Sequence, residues 1–259
     1  MSTILFEVRE QVGYITFNRP EKHNAFNRTM SIALQNALDS FAANPEVRVI
    51  YIAGNEKSFS SGQDLSEVLD PEGPSMDRIL AEHYVPIIER IKSMNKPVVA
   101  GIQGAAVGAG INLALACDIV IVSDSATISQ AFIKIGLIPD CGGTHTLPRA
   151  IGWQRAAGLM MLGETITGKE AANIGMVYKS FDAAHFNEEA DRIVKKLANS
   201  PTQAIAYIKQ ALQASQGNSS LYSQLNLEDH LQKKAGSTKD FKEGINAFLE
   251  KRAPMFKGE

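Results

Sequence analysis

The sequence has little cysteine, no excess of either charge and no long apolar run. Cys117 and Cys141 are its two cysteines, and their spacing fits neither a disulfide framework nor a zinc site. Lys and Arg number 26 against 28 Asp and Glu, a net charge of −2 that gives no general attraction to nucleic acid or anionic lipid. No stretch reaches the roughly 18 apolar residues of a membrane-spanning helix. The first ten residues lack a basic segment followed by an apolar core, so no secretory signal is predicted. We therefore expect a cytoplasmic globular protein without nucleic-acid or membrane partners.

Several familiar catalytic motifs are also missing. The five histidines are scattered and none forms an H-x-x-x-H pair, so we expect no metal site. The sequence contains no G-x-x-x-x-G-K-[ST] phosphate loop and no G-x-S-x-G nucleophile turn. The glycines that follow the strand predicted near Val98 have the order G-x-x-x-G-x-G, which does not match a dinucleotide-binding fingerprint.

The pattern along the chain predicts a mixed α/β region followed by helices. Thr3–Val8 and Val12–Phe17 read as a β-hairpin, and Asn27 is placed to cap the helix that follows. A helix is predicted over about Met76–Met94, with a kink at Pro86. The last quarter of the chain has only helical patterns, and no low-complexity linker precedes it. It can therefore pack on the core or on a neighbouring subunit.

The most informative stretch is Ile102–Asp118, IQGAAVGAGINLALACD. A buried strand ends here and turns through Gly104, Gly108 and Gly110 into an almost wholly apolar helix. The first amide N–H groups of such a helix have no partner within it, and the helix dipole adds positive potential there. Backbone donors of this kind stabilise a developing negative charge. The alternative is that the small residues only allow close packing of helix on sheet.

Five ordered segments extend this interpretation. Together they resemble the crotonase, or enoyl-CoA hydratase/isomerase, superfamily over essentially the whole chain. The segments are NRPEKHNAFN (18–27), FSSGQDL (59–65), GAAVGAGINLALACDI (104–119), IGLIPDCGGTHTLPR (135–149) and FKEGINAFLEKRAPMF (241–256). GQDL, GLIPDCGGT and EG-x-x-AFL-x-KR resemble most the bacterial ring-1,2-epoxyphenylacetyl-CoA isomerases within that superfamily.

The resemblance implies an α/β fold, a crotonase-like spiral of ββα repeats with a helical C-terminal region. It divides the chain into a core, 1–195, and a C-terminal trimerisation region, 196–259, and it implies homotrimers that often stack as a dimer of trimers. It further implies an acyl-CoA thioester substrate, with the backbone N–H groups of Gln63 and Ala109 as the two oxyanion donors. Without the resemblance, SSGQD is an ordinary turn followed by an aspartate cap.

Three further positions bear on the reaction. Hydratases of the superfamily use two glutamates to handle water, and these positions correspond here to Asn112 and Phe132. Neither side chain accepts a proton at neutral pH, so efficient hydration is not expected. The resemblance implies instead that Asp140, in IPD-x-GG, is the base of an isomerase. The alternative for Asp140 is a turn residue or a cap of the helix at Gly143.

The coenzyme A contacts implied by the resemblance come from three places in the chain. Those near the opening loop and the GQDL loop are Lys22, Ala25, Asp64 and Leu65, and those offered to a neighbouring subunit are Phe248 and Lys251. For both lysines, a solvated surface charge is the alternative.

The expected function is therefore that of an acyl-CoA isomerase that shifts a double bond or rearranges a ring epoxide through an enolate of the thioester. No metal or redox cofactor is implied, since coenzyme A belongs to the substrate. The alternatives are a 2-enoyl-CoA hydratase of fatty-acid β-oxidation with a displaced acid or base, and a non-catalytic acyl-CoA-binding member of the superfamily.

Overall fold

Two β-sheets form the centre of the molecule, which is described by a computed structural model covering residues 2–217 and 220–259. The large sheet has six strands in the order β1-β2-β3-β5-β7-β10, and only the β1–β2 pair is antiparallel. The small sheet has four strands in the order β4-β6-β8-β9, with an antiparallel β8–β9 pair. The strands are β1 (Ile4–Arg9), β2 (Val12–Phe17), β3 (Val49–Ala53), β4 (Ser58–Ser60), β5 (Val98–Ile102), β6 (Ala105–Val107), β7 (Ile119–Ser123), β8 (Thr127–Ser129), β9 (Thr165–Thr167) and β10 (Lys179–Phe181).

The chain passes repeatedly from the large sheet to the small one. β3 is followed by β4, β5 by β6 and β7 by β8, and helical segments follow each pair. These are the ββα turns of the predicted spiral. The segments between successive turns have unequal lengths, which explains why the sequence shows no repeat of fixed period.

The helices are α1 (Arg28–Ala43), α2 (Leu65–Val68), α3 (Met76–Arg78), α4 (Val85–Ser93), α5 (Ala109–Ala116), α6 (Gly143–Ile151), α7 (Trp153–Leu162), α8 (Gly168–Asn173), α9 (Phe186–Ala198), α10 (Thr202–Gly217), α11 (Leu221–Gly236) and α12 (Lys239–Leu249). Short 3-10 turns lie at Pro20–Lys22 and Ala131–Ile135. Among the described residues, no helix is both long enough and apolar enough to cross a bilayer.

The central parallel strands of the large sheet are buried on both faces, as parallel strands usually are, whereas the edge strand β1 is mostly exposed. On β3, Ile50 and Ile52 face the main core with α1, whereas Val49 faces a second apolar cluster that includes Phe186 and Val194 of α9. The predicted cap of α1 is confirmed, since the Asn27 side chain accepts a 3.0 Å hydrogen bond from Met30 N.

The helix predicted over Met76–Met94 is confirmed as one continuous helical run that ends at Ser93. Within it, a π-helical stretch, Ile79–Tyr84, separates α3 from α4. Pro86 follows this stretch in the first turn of α4, and the kink expected there stays a prediction. Such stretches are frequent at functional sites.

The C-terminal helices are tied to the core of the same subunit at two buried cations. Lys209 of α10 pairs with Asp118 Oδ2 at 2.8 Å and donates to Ile91 O at 2.6 Å. Arg48 donates to Phe256 O at 2.9 Å and to Thr202 Oγ1 at 2.9 Å. The division after residue 195 stays a prediction, and α9, which covers the large sheet, continues to residue 198.

Candidate active site

A cavity of about 530 Å³ opens where the small sheet meets the segments that follow its strands. We call it the Asp140 cavity. It is lined by Ser61, Gly62, Gln63, Leu65, Val68, Leu69, Met76, Ile79, Tyr84, Val107, Gly108, Ala109, Ala131, Phe132, Lys134, Ile135, Leu137 and Asp140. Most of its wall is therefore apolar, and the three residues expected to carry the chemistry, Gln63, Ala109 and Asp140, all border it.

The first amide comes from the turn after β4. Gly62 adopts a left-handed φ of +88°, a backbone conformation that would be strained in a residue with a side chain. Phe26 holds the turn on both sides of Gln63, because its N–H donates to Gly62 O at 2.7 Å and its carbonyl accepts from Asp64 N at 2.8 Å. Within the described part of the chain the N–H of Gln63 itself has no acceptor. It is thus a fixed donor left free at the cavity.

The second amide comes from the turn after β6. Gly108, at φ +57°, precedes α5, and Ala109 is the first residue of that helix. The Ala109 N–H finds no acceptor among residues 2–217 and 220–259 either, as expected at a helix start. The two turns lie against each other, since a Cβ placed on Gly62 would be 3.3 Å from Ala109 N. The cavity therefore presents two neighbouring backbone donors.

Asp140 supplies the negative charge of the cavity, which Lys134 also lines. Of the described residues that line it, Asp140 alone carries a carboxylate. Its Oδ1 is buried and accepts no hydrogen bond from the described residues. Burial raises the pKa of Asp140, and a hydrogen bond from the Cys141 thiol offsets part of that effect. A carboxylate with a raised pKa and a free oxygen is suited to accept a proton.

Asp140 does not cap the next helix. The N-cap of α6 is Gly142, and no side chain bonds the first N–H groups there. Burial, and then the nearby Asp140 charge, raise the pKa of the Cys141 thiol, so this thiol stays protonated and is a poor nucleophile. The turn alternative for Asp140 therefore accounts for its backbone but not for its side chain.

The two positions that correspond to hydratase glutamates are occupied in different ways. Asn112, on α5, is 1% exposed, and both ends of its amide are used by the protein. Its Nδ2 donates to Asp140 O at 2.9 Å, and its Oδ1 accepts from Gln130 Nε2 at 2.7 Å. Phe132 is buried, lines the cavity and lies close to Gly108. One position is thus a structural amide and the other an apolar wall.

The cavity thus holds two free turn amides and one carboxylate. The chain that forms it also matches one protein family over nearly its whole length. A profile described as Enoyl-CoA hydratase/isomerase matches residues 7–259. The chain belongs to the enoyl-CoA hydratase/isomerase family. The fold agrees, because the crystal structure of an enoyl-CoA hydratase from Bacillus anthracis superposes with a TM-score of 0.91 at 32% identity, covering 99% of this chain and 100% of that one.

Two relatives in this family carry names from different reactions. The 1,2-epoxyphenylacetyl-CoA isomerase of Escherichia coli is 39% identical over 262 residues, covering 100% of both chains. A Rhodobacter capsulatus protein named "Probable enoyl-CoA hydratase" is 43% identical over 256 residues, covering 99% of this chain and 98% of its own. The family is therefore shown, while the names divide between isomerase and hydratase.

The residues that the family resemblance assigns to coenzyme A do not all lie together. Leu65 is half exposed and borders the Asp140 cavity.

Asp64 is buried, caps α2 through Ser66 and pairs with Arg19 at 2.9 Å. Burial would raise the pKa of Asp64, but hydrogen bonds from Ser66 and Arg19 outweigh it and lower that pKa. Arg19 also donates to the Ala25 carbonyl. The Asp64 carboxylate thus holds the opening loop against the Gln63 turn.

The remaining three residues of that set lie away from the cavity wall. Lys22 is exposed in the opening loop. Phe248, 83% exposed, lies on α12, and Lys251 lies in the turn after it. A single subunit leaves these two side chains on its surface.

Sequence patterns missed two polar residues of the site. Tyr84, in the π-helical stretch, is 1% exposed and lines the cavity. Gln130 lies directly before the 3-10 turn and anchors Asn112. Both act through contacts distant in sequence, which no local motif signals.

Proposed function

We propose that this protein is a cytoplasmic acyl-CoA isomerase that moves a proton next to a thioester carbonyl. The observation that carries the proposal is the meeting of the two free N–H groups of Gln63 and Ala109 with the carboxylate of Asp140 in one apolar cavity. The two unbridged thiols, Cys117 and Cys141, are typical of a reducing compartment.

In this reaction the two amides bind the thioester oxygen. Removal of a proton from a carbon conjugated with the carbonyl places negative charge on that oxygen. Each backbone donor then lowers the barrier by about 2–4 kcal/mol, since the apolar wall excludes water and the donors are fixed before the reaction.

Asp140 removes the proton and returns it to another carbon, which shifts the double bond. The carboxylate ends in the form in which it began, and the product has the composition of the substrate. The step requires no electron acceptor or metal. Because Asn112 is fully engaged with Asp140 and Gln130, and Phe132 is apolar, a second group that activates water is missing from these two positions. We therefore propose that hydration is slow.

The favoured substrate is ring-1,2-epoxyphenylacetyl-CoA, of phenylacetate degradation. The support is the E. coli isomerase, which is 39% identical over its full length, and a cavity lined by Phe132, Ile79 and Met76 that suits an apolar ring. Rearrangement of a ring epoxide also conserves all atoms, so the same donors can act on it. The alternative is a 2-enoyl-CoA hydratase, which the name of the 43% identical relative favours.

For the coenzyme A moiety we propose a path from Leu65 along the opening loop, with Lys22 and Ala25 beside it and Asp64 supporting the loop. Phe248 and Lys251 reach the coenzyme A of a neighbouring subunit in a homotrimer. The support is the exposure of both side chains on the C-terminal helix and the turn after it.

Incubation of the enzyme with a 3-enoyl-CoA, crotonyl-CoA and ring-1,2-epoxyphenylacetyl-CoA tests this proposal. Products are separated chromatographically and identified by mass. We expect isomers of unchanged mass from the first and third substrates and little addition of water to crotonyl-CoA. Rapid gain of 18 mass units from crotonyl-CoA, with no isomerisation, favours the hydratase. Binding of all three without turnover identifies a non-catalytic member of the family.

A further inference from the structure

The side chain of Gln63 is fixed at both ends, although the proposed chemistry uses only its backbone N–H. Its Oε1 accepts a 3.0 Å hydrogen bond from the Tyr84 hydroxyl. Its Nε2 donates to Glu67 Oε2 at 2.8 Å. A half-buried glutamine at a turn has several rotamers of similar energy unless its amide is held. Here the Tyr84 hydroxyl, as donor, and the Glu67 carboxylate, as acceptor, select a single rotamer of Gln63.

Each of the two partners is itself held in place. Tyr84 is among the largest fully buried side chains, and its ring packs against Phe26 at 6.0 Å between centroids. Glu67, in α2, accepts a 2.9 Å hydrogen bond from Arg28 N with its second oxygen, which ties it to the start of α1. The Gln63 amide is thus connected to a fully buried ring and, through Glu67, to the start of α1.

The peptide that precedes Gln63 is also held. The N–H of Gln63 shares a planar peptide unit with Gly62 O, which accepts from Phe26 N at 2.7 Å, so Phe26 sets the direction of this N–H. Gly62 itself, with φ at +88° and no Cβ, offers little resistance to displacement of the turn. The anchored Gln63 side chain therefore adds a second hold on the turn, on the other side of the Gln63 Cα.

We infer that Tyr84 and Glu67 are positioning residues that act through the Gln63 side chain to hold the turn that presents the Gln63 N–H to the thioester oxygen. The inference rests on the proposed function, because it requires that this N–H be an oxyanion donor. It also explains the π-helical stretch Ile79–Tyr84, which brings the hydroxyl of Tyr84 to the turn after β4. A donor that contributes to catalysis must be held close to its productive direction, and a supporting hydrogen bond serves that purpose.

A double-mutant cycle with Tyr84→Phe and Gln63→Met tests this inference. The first variant removes one hydroxyl, and the second removes both hydrogen bonds while keeping a side chain of similar length. Glu67→Ala removes the other anchor from outside the cavity lining and serves as an independent variant. Circular dichroism and melting temperature establish that each protein is folded.

Two readouts report on the donor rather than on folding. The first is the steady-state division between kcat and KM. The second is the absorption maximum of bound cinnamoyl-CoA, whose conjugated double bond makes its spectrum move to longer wavelength when the thioester carbonyl is polarised by hydrogen bonds.

Matched controls lie elsewhere in the fold. Tyr14→Phe also removes a tyrosine hydroxyl, one that is half-buried and donates to Asp191 Oδ1 at 3.1 Å on the outer face of the large sheet. Gln213→Met removes an amide that donates to Lys92 O at 2.7 Å from α10. Both controls are expected to keep the wild-type spectrum of bound cinnamoyl-CoA.

We expect Tyr84→Phe and Glu67→Ala each to lower kcat about fivefold to tenfold, the effect of one hydrogen bond, and Gln63→Met to lower it at least as much, with KM within about threefold in all three. The red shift of bound cinnamoyl-CoA should decrease in parallel. The double variant should be no slower than Gln63→Met, because Tyr84 acts only through Gln63.

Additive losses in the double variant would overturn the inference and assign Tyr84 a direct contact with substrate. A wild-type red shift and wild-type kcat in Gln63→Met would also overturn it, while leaving the proposed function intact. A wild-type enzyme that binds cinnamoyl-CoA without any red shift would contradict the oxyanion role of Gln63 and Ala109, and this inference with it.

Discussion

Asn112 Nδ2 donates a 2.9 Å hydrogen bond to the backbone carbonyl of Asp140. The residue that stands where a hydratase has a glutamate thus holds the segment that carries the proposed base. Gln130 fixes the other end of the same amide, at 2.7 Å. Gly143 allows this contact, since a Cβ on it would come within 2.3 Å of Asn112 Nδ2.

Asn112→Leu should therefore impair both stability and activity. The change leaves the Gln130 amide without its acceptor, at a cost of about 1–3 kcal/mol if that group stays buried. It also removes one of the two hydrogen bonds to the Asp140 carbonyl, which keeps the bond from Gly143 N at 2.8 Å. We expect a lower melting temperature together with a lower kcat, because Asp140 loses its anchor. Asn199→Leu is a suitable control, since it removes a 2.9 Å bond from an exposed asparagine to Lys195 O. Wild-type kcat in a folded Asn112→Leu protein would refute the anchoring role.

Asp140→Asn should abolish isomerisation. It keeps the shape of the side chain and removes its ability to accept a proton, which typically costs about 10²–10⁴-fold in rate. Isothermal titration with a non-reactive acyl-CoA should give affinity within a few-fold of wild type, because the thioester contacts remain. An Asp140→Asn enzyme that isomerises at close to the wild-type rate would leave Asp140 as a turn residue.

The same substitution should raise the melting temperature at pH 7. Burial raises the folded-state pKa of Asp140 above the unfolded value of about 3.9. The contribution of Asp140 to the free energy of unfolding is then complete at pH values below its unfolded-state pKa. It is lost as the pH rises through the folded-state pKa. The difference between Asn variant and wild type should shrink as the pH is lowered from 7 toward 4. A variant that melts below wild type at pH 7 would show that the Asp140 carboxylate is not destabilising.

Ala109→Pro should remove one oxyanion donor with little damage to α5. Ala109 is the first helical residue, the position at which proline is best tolerated. Turnover is expected to fall by at least about 10²-fold. Ala109→Gly keeps the N–H and should retain most of the activity. Normal turnover by a folded Ala109→Pro enzyme would exclude this N–H as a donor.

The exposed apolar side chains of the C-terminal helices predict a trimer or a dimer of trimers. Phe248 is 83% and Leu249 72% exposed on α12, and Leu212 on α10 is 62% exposed. Association of subunits removes such surface from water and stabilises the assembly. Light scattering at micromolar concentration should give a mass three or six times that of one subunit. A monomer would contradict the prediction.

Much of the fold followed from local patterns. The hairpin of β1 and β2 and the cap at Asn27 are confirmed, because each depends on residues near one another in sequence. The small sheet was not predicted, since strands of three residues, such as Ala105–Val107, are too short to show alternation.

The site residues likewise fall into those that the local sequence indicated and those that it did not. Gln63, Ala109 and Asp140 lie in motifs, so the sequence indicated them, and the structure brings them to one cavity. Tyr84 and Gln130 lie outside any motif, and their importance comes from partners far along the chain.

The pairing of β4 with β6 has a consequence for how this protein tolerates insertions. Ser58 and Ser60 pair with Ala105 and Ala106, and each strand leads directly into one of the two donor turns. A slip of one residue between these strands would move one amide by about 3.3 Å relative to the other, too far for both to reach a single oxygen. Extra residues should therefore be accepted in the exposed segment 70–72 but not between Ser58 and Gly62. The spacing of the two donors is a property of strand register, and the length of the loop after α2 has little influence on it.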